Sequence, residues 1–318
     1  MYDGAHSPAG IEAAAAWLGS PQDIHYAEDF LDATSWSSIS DPSWFMAQWK
    51  GAPFTMVWGV PMMPCGGPST SCGPNTSVFD AVASGTDNGY YKTLAQNLVT
   101  GGFGSSYIRL GWEFQGGWFP WNICNSDGQQ DFVPAFQNIV TSMRSVSANF
   151  KFIWNPDDSS NTSCGGKLED YYPGDSYVDM VAIDVYDTNG GSDTDSSRWT
   201  ELLNGVNAGD WTAATPKPID GQTFDGYGLN WLAAFAKEHG KAIGLPEWGL
   251  WDTSNNGGGD DTYFVNKMAD WIKSHATGPA VFWNYDDGAP DVLLTIPNET
   301  TGDVPDATAA FKGDFAGR

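Results

Sequence analysis

The sequence predicts a single α/β domain, a (β/α)8 barrel with long loops after its strands, over residues 1–318. Short β-rich segments alternate with amphipathic helical segments, which is the pattern of parallel βαβ units. Eight β-rich segments are present, and eight is the number that closes a barrel. The length of 318 residues suits one barrel of about 250 residues with loop insertions. An open, doubly wound sheet is the alternative, but the Gly-rich phosphate turn typical of its early strands is missing.

Each strand is expected where β-branched, aromatic or other apolar residues run together. The eight strands are predicted at 2–6, 24–30, 54–60, 106–113, 151–155, 178–186, 242–247 and 280–285. Helical periodicity predicts helices at 11–18, 42–50, 88–100, 129–147, 228–239, 261–275 and 306–313. No linker or low-complexity segment interrupts this alternation, which favours one domain. The segments 61–87, 114–128, 187–227 and 251–260 are irregular and are expected to be loops.

The charge balance excludes two classes of partner. The chain carries 14 Lys and Arg against 39 Asp and Glu, a net charge of −25. Nucleic acids and anionic membranes both require basic residues to neutralise phosphate groups. No apolar run reaches the roughly 18 residues of a membrane span. We therefore expect a monomer that acts on a neutral or cationic partner, with neither nucleic acid nor membrane bound.

The four cysteines indicate in which cellular compartment the protein acts. Cys65 and Cys72 bracket one short loop, and Cys124 and Cys164 follow neighbouring predicted strands, so two disulfides are expected. Metal ligation is the rival interpretation, but no Cys-x-x-Cys occurs and the four His residues are scattered. Disulfides indicate an exported, extracellular protein. The first ten residues, MYDGAHSPAG, lack the basic start and apolar core of a signal peptide, so a mature form is expected.

Two glutamates end apolar strands among aromatic residues and glycines. Glu113 lies in YIRLGWEFQGGWFPWN and Glu247 in IGLPEWGLW. Catalytic groups of such barrels lie at the C-terminal ends of strands, and predicted strands 4 and 7 face each other across the ring. Two carboxyl groups about 5–5.5 Å apart hydrolyse a glycoside with retention, one as acid/base and one as nucleophile. An apolar environment raises the pKa of the acid. The sequence therefore predicts a retaining glycosidase.

Neighbouring residues are candidates for catalytic support and for sugar binding. Tyr186, at the end of strand 6, has a phenol that can hold the ionised glutamate. Arg109 lies two residues before Glu113, so strand alternation turns both side chains to the same side. Sixteen tryptophans suggest flat surfaces on which sugar rings stack. The sugar-binding candidates lie at strand ends or in the loops that follow them: Trp118, Trp121, Trp154, Trp248, Trp283 and Asp286.

Four stretches in this order resemble glycoside hydrolase family 26. They are IRLGWEFQGGWFPW, FIWNPD, YYPGDSYVDMVAIDVY and LPEWG, and AVFWNYDD extends the similarity more weakly. Members of that family include β-1,4-mannanases, mixed-linkage β-glucanases and β-1,3-xylanases. The resemblance implies a retaining endo-β-glycanase that needs no metal or organic cofactor, with β-1,4-mannan favoured because it is the frequent substrate of the family.

The resemblance also implies residue roles. Glu113 is then the general acid/base and Glu247 the nucleophile, with Tyr186 orienting the nucleophile. Trp283 is the floor under the sugar at the cleavage point, and Trp118 and Trp121 line the neighbouring subsites. Family mannanases carry His immediately before the acid/base glutamate, and the wider group often carries Asn. Trp112 stands there in this chain, so a hydrogen-bonding partner is missing or comes from elsewhere.

Two other classes of function compete with this interpretation. A carbohydrate-binding barrel without catalysis would keep the tryptophans, but it gains nothing from two desolvated carboxylates. A metal-dependent hydrolase would need clusters of His and Asp at strand ends, and the chain has four His. The acidic run 187–197 resembles a calcium site only loosely, because it lacks the regular ligand spacing of an EF-hand loop.

Overall fold

The computed structural model describes residues 1–65, 76–158, 166–188, 195–206, 215–285, 291–296 and 304–317. Its strands are β1 (Tyr26–Phe30), β2 (Thr55–Val60), β3 (Tyr107–Leu110), β4 (Lys151–Trp154), β5 (Met180–Ala182), β6 (Val185–Tyr186), β7 (Ala242–Trp251), β8 (Ala280–Phe282) and β9 (Asp291–Val292). Its α-helices are α1 (Pro8–Leu18), α2 (Trp36–Ser40), α3 (Ser43–Trp49), α4 (Thr76–Ala83), α5 (Asn88–Gly101), α6 (Ser126–Arg144), α7 (Asp195–Asn204), α8 (Leu229–His239), α9 (Thr262–His275) and α10 (Pro305–Phe315).

The strands form one parallel ring. Strand β1 pairs with β2, β2 with β3, β3 with β4 and β4 with β5, all in parallel. Strand β7 then pairs in parallel with β5 and β6 on one side and with β8 on the other. The short strand β9 lies antiparallel to the end of β7. The helices cover the outside of this ring, so the predicted α/β barrel is confirmed.

The first predicted strand is reduced to a single bridge that closes the ring. Tyr2 pairs in parallel with Trp283, and its N–H donates to the carbonyl of Phe282 at 3.0 Å. On the other side, the N–H of Glu28 in β1 donates to the carbonyl of Met1 at 3.3 Å. The chain around Tyr2 thus lies between β8 and β1. The prediction of a strand over 2–6 has the right position but is too long.

Strand alternation divides the apolar residues between two cores. One core lies inside the ring, and its members are Tyr2, Val57, Ile153, Met180, Ala182 and Val281. Their sequence neighbours point outward and pack under the helices, as Phe152 and Val181 do. Both faces of each strand are therefore buried, which explains why the strands read as continuous apolar runs.

Two predicted sugar-binding residues lie in the outer core, and their prediction is wrong. Trp154 follows the inward-facing Ile153, so it points outward, where it is fully buried against Trp231 and Phe235 of α8. Trp248 likewise points outward and packs against Phe311 of α10. Neither side chain reaches the mouth of the barrel. The prediction relied on the positions of both residues at strand ends, but the alternation of side chains along a strand decides to which side each indole points.

Several element bounds differ from prediction for local reasons. Strand β3 ends at Leu110 rather than at 113 because Gly111 and Glu113 adopt positive φ angles of 54° and 50°. The predicted strand 178–186 divides into β5 and β6. Helices α2, α4 and α7 were not predicted, since they are short or, for α7, lie within a polar stretch that resembles a loop. Among the described residues, no helix is long and apolar enough to cross a membrane.

Trp154→Ala tests the assignment of the Trp154 side chain to the outer core. Removing a fully buried indole leaves a cavity, so we expect the free energy of unfolding to fall by about 3–5 kcal/mol. Chemical denaturation followed by circular dichroism measures it. Trp44 on α3 is 57% exposed, and Trp44→Ala is the matched control, with an expected change within about 0.5 kcal/mol. Equal losses in the two variants would contradict the packing described for Trp154.

Candidate active site

Three carboxylates converge at the C-terminal mouth of the barrel. Glu113 follows β3, Asp184 lies between β5 and β6, and Glu247 lies within β7. One carboxylate oxygen from each of the three lies within 4.8 Å of the others. The structure therefore brings the two predicted glutamates together from opposite sides of the ring. This limit of 4.8 Å between their facing oxygens is close to the roughly 5–5.5 Å of retaining glycosidases and well below the roughly 6.5–9.5 Å of inverting ones.

Glu113 sits on a constrained backbone in a poorly solvated position. Its φ of 50° lies in the left-handed region that side-chain-bearing residues rarely adopt, and such conformations cluster at functional sites. Its N–H donates to the carbonyl of Asn155 at 2.8 Å, which ties this turn to β4. The indole N–H of Trp118 donates to Oε2 of Glu113 at 2.7 Å. The side chain is thereby aimed into the mouth of the barrel.

The pKa of Glu113 is raised to about 8. Burial is the largest cause, and the nearby carboxylates of Glu247 and Asp157 add to it. Arg109 and the N–H of Trp118 act in the opposite direction because both favour the ionised form. Glu113 therefore holds a proton at neutral pH and is available as an acid.

Glu247 is surrounded by donors. The phenol of Tyr186 donates to its Oε2 at 2.8 Å, and Nη1 of Arg109 donates to its Oε1 at 2.5 Å. Its backbone N–H donates to Oδ1 of Asp184 at 3.2 Å. Two donors on two oxygens fix the rotation of the carboxylate and suit an ion rather than an acid. The two glutamates thus have different environments, which is the arrangement that separates acid from nucleophile.

Arg109 is the fully buried centre of this cluster. Its Nε donates to Oδ1 of Asn155 at 2.6 Å, and its Nη2 donates to Oδ2 of Asp184. Its Nη1 is shared between Glu247 and Oε1 of Glu28, the latter at 3.1 Å. The sequence indicated that Arg109 faces the glutamates, and the structure pairs it with Glu247. Arg109 already supplies a positive charge to two of the three clustered carboxylates, so this donor set does not fit a metal ion.

A cleft of about 540 Å³ opens beside the two glutamates. Half of its lining residues are aromatic, and Trp118, Trp121 and Trp283 are among them. Trp118 is 47% exposed, whereas Trp121 is buried and donates its indole N–H to the carbonyl of Trp112 at 2.8 Å. Trp118 and Trp283 thus present ring surface to the cleft, and Trp121 supports the wall behind it. Asp286 lies outside the described residues.

Trp112 also lines this cleft, although regular alternation along a strand would place it on the side opposite to its neighbour Glu113. The turn at Gly111 takes the chain out of the strand, so Trp112 and Glu113 both end on the cleft side. A Cβ at residue 111 would lie 2.1 Å from Sδ of Met62, so this sharp, close-packed turn requires glycine. The Trp112 ring packs against Phe30 and Phe119 and under the guanidinium of Arg109. The apolar ring of Trp112 therefore lies next to Glu113, at the position where the resemblance implied a polar side chain.

Glu28 is the site residue that sequence analysis missed. It lies in the predicted strand IHYAEDF, and its sequence neighbours Ala27 and Asp29 do not indicate that its side chain is buried inside the barrel. The signal was alternation: Ala27 packs outward, so Glu28 must point into the barrel. Two other polar residues that follow strands, Asn155 after β4 and Asp184 after β5, are buried and bonded to Arg109.

Two cysteines border the site. Cys65 lines the cleft, and Cys124 follows the turn that carries Glu113. Both are disulfide-bonded, and no described cysteine is a free thiol. Cys72 and Cys164 lie outside the described residues, so the pairing of Cys65 with Cys72 and of Cys124 with Cys164 stays a prediction.

Comparison with known proteins finds a family model that matches the central part of the chain. Residues 106–222, which include Glu113 and Tyr186, match the family model of glycosyl hydrolase family 26. Endoglucanase H of Acetivibrio thermocellus is 31% identical over 109 residues, which are 33% of this chain and 12% of that protein. The chain thus matches about an eighth of the length of this curated relative. The predicted resemblance to family 26 is confirmed over this segment.

Solved structures confirm the barrel over nearly the whole chain. GH26C from Muricauda sp. superposes with a TM-score of 0.58 at 15% identity, covering 92% of this chain and 79% of that one. A GH26 β-mannanase from Bacteroides ovatus gives 0.56 at 16% identity, covering 96% and 84%. A modular endo-β-1,4-mannanase from Cellulomonas fimi gives 0.57 at 16% identity, covering 96% and 69%. At these identities the likeness establishes the fold alone.

Proposed function

We propose that the protein is a retaining endo-β-glycanase, and the segment 106–222, which matches glycosyl hydrolase family 26, supplies its acid/base Glu113. One observation carries the proposal: two glutamates from β3 and β7 approach within 4.8 Å at the barrel mouth, in different environments. The pKa of Glu113 is raised, whereas Glu247 accepts from Arg109 and Tyr186. A binding protein would have no use for this asymmetry.

Each step of a double displacement has a group in the right place. Glu113 gives its proton to the glycosidic oxygen while Glu247 attacks the anomeric carbon, which forms a covalent glycosyl-enzyme. Glu113, now ionised, takes a proton from a water molecule whose oxygen attacks the anomeric carbon. The bond between that carbon and Glu247 breaks, which releases the sugar and restores the carboxylate. Tyr186 and Arg109 keep Glu247 rotated toward the anomeric carbon. The mechanism uses these side chains alone.

The aromatic cleft beside the glutamates is the proposed sugar-binding surface. Trp283 is half-buried and is the floor for the sugar at the cleavage point, with Trp118 at the rim. Neutral polysaccharide suits both these ring surfaces and the net charge of −25. β-1,4-Mannan is the first candidate substrate. β-Glucan is the second, because the curated relative with 31% identity is an endoglucanase.

We further propose that the enzyme acts outside the cell as a monomer with one catalytic domain. The disulfide bonding of Cys65 and Cys124 supports an oxidising compartment, since thiols of cytosolic proteins stay reduced. The acidic surface keeps copies of the protein apart and suits a dissolved enzyme.

Substitution of the two glutamates tests the proposed roles. Glu247→Ala should lower kcat on the best polysaccharide of a mannan, β-glucan and xylan panel by at least about a thousandfold, since no nucleophile remains. Glu113→Ala should lower it by about 10²–10⁴-fold, and azide should partly restore product formation on a substrate with an activated leaving group. Reducing-sugar release measures turnover, and affinity electrophoresis measures retained polysaccharide binding.

Glu12, an exposed glutamate on α1, supplies the control variant Glu12→Gln, which should match the wild type. Wild-type turnover that persists in Glu247→Ala would contradict the assignment. Absence of turnover by the wild type on every polysaccharide, with binding retained, would favour the non-catalytic alternative.

The pH profile tests the assignment of Glu113 as the acid. Only protonated Glu113 can donate, so kcat/KM should fall as pH rises through its raised pKa of about 8. Trp118→Phe removes an N–H that stabilises the carboxylate, so the alkaline limb should move upward by roughly half a pH unit.

Trp121→Phe is the matched control, because that indole donates to a backbone carbonyl and not to Glu113. Its alkaline limb should coincide with that of the wild type. A downward shift in Trp118→Phe, or equal shifts in both variants, would show that Glu113 does not set this limb.

A further inference from the structure

Glu28 is a buried carboxylate that the proposed mechanism does not use. Its side chain is fully buried on the inner face of β1. Oε1 accepts from Nη1 of Arg109 at 3.1 Å, while Oε2 has no hydrogen-bond partner in the part of the chain that the structure describes. Burying a carboxyl group with one unpartnered oxygen is unfavourable, so the fold tolerates this arrangement at a cost to stability. Such a group calls for a reason beyond packing.

The position of Glu28 makes it a second anchor for the nitrogen that binds the nucleophile. Nη1 of Arg109 carries two N–H groups, and their acceptors are Glu28 and Glu247. Asn155 and Asp184 hold Nε and Nη2 from the other side of the planar guanidinium. Of these four contacts, Glu28 supplies the one from the β1 side. Without it, Nη1 has no contact that resists a tilt of the guanidinium away from Glu247.

Charge explains why Glu28 does not compete with Glu247 for Arg109. The charged groups that face Glu28 are Arg109 from β3, Glu247 from β7, Asp184 from the segment between β5 and β6, and the amino group of Met1. Burial raises the pKa of Glu28 to about 8; Arg109 opposes this shift and Glu247 adds to it. At neutral pH Glu28 is therefore a neutral acceptor. It holds the guanidinium by a hydrogen bond and leaves the positive charge to Glu247 and Asp184.

We infer that Glu28 is a positioning residue that acts on the nucleophile through Arg109. It fixes the guanidinium so that Nη1 points at Oε1 of Glu247, which in turn keeps the other oxygen directed at the anomeric carbon. The inference rests on the proposed function, since it needs Glu247 to be the nucleophile. It predicts that the shape and acceptor oxygen of residue 28 matter, whereas its negative charge does not.

Two substitutions separate the acceptor from the charge. Glu28→Gln keeps an acceptor oxygen toward Arg109, so kcat should stay within about threefold of the wild type. Glu28→Met removes the acceptor at similar volume. It should lower kcat by about 10–100-fold and leave KM nearly unchanged. Initial rates on the best polysaccharide, measured from pH 4 to pH 9 and normalised to folded protein, give these values.

Asp29→Asn controls for damage to β1. Asp29 is the neighbouring buried acid, but it faces outward to His6 and to the indole N–H of Trp49. Asp29→Asn should lower the melting temperature while leaving kcat and the pH profile of the folded protein unchanged. If Glu28→Met behaves like Asp29→Asn, the residue has a structural role only and the inference is overturned.

Crystal structures of the wild type and of Glu28→Gln and Glu28→Met test the positioning without activity. We expect the Arg109–Glu247 contact to persist in Glu28→Gln and to lengthen beyond hydrogen-bond distance in Glu28→Met. An unchanged contact in Glu28→Met would overturn the inference. A wild type that is inactive on every polysaccharide contradicts the proposed function instead, and in that case the three structures alone decide whether Glu28 positions Arg109. If Glu28→Met does not fold, Glu28→Ala takes its place in both experiments.

Discussion

The site depends on one buried guanidinium. Arg109 binds Asp184, Glu247, Glu28 and Asn155, which come from four different parts of the barrel. Burying this cation without partners would be very unfavourable, so these contacts must form together as the ring closes. The cluster then holds Glu247 in place, and burial, together with the neighbouring carboxylates of Glu247 and Asp157, keeps Glu113 protonated. The contacts of Arg109 inside the barrel thus help to give Glu113 and Glu247 different environments at its mouth.

Alternation along the strands determines which residues serve the site and which serve the core. Within each barrel strand, one set of side chains points to the axis and the next points under the helices. Arg109 and Glu28 point inward, whereas Trp154 and Trp248 point outward into the helical layer. The aromatic residues of the cleft come instead from irregular segments, such as the turn 111–121, where alternation no longer applies. Irregular segments therefore supply most of the ring surfaces, whereas Glu28, Arg109 and Glu247 come from strands.

Much of this was predictable because it follows from local pattern. The eight strand positions, the pairing of Glu113 with Glu247 across the ring, and the inward direction of Arg109 all follow from periodicity and from barrel geometry. The orientation of Trp112 was not predictable, because it depends on a positive φ at Gly111 that periodicity does not register. Glu28 was missed since one carboxylate in an apolar strand resembles an ordinary edge residue until its partner across the barrel is known.

The account rests on two carboxyl groups close enough for one to attack the carbon whose bond the other cleaves. The stereochemistry of the first-formed product reports this separation directly, because a gap wide enough for water between carboxylate and sugar gives inversion. Proton NMR of the anomeric signals, recorded in the first minutes of hydrolysis of a β-linked oligosaccharide, is the measurement. The account predicts that the β-anomer appears first and that mutarotation to the α-anomer follows. Initial appearance of the α-anomer would contradict it.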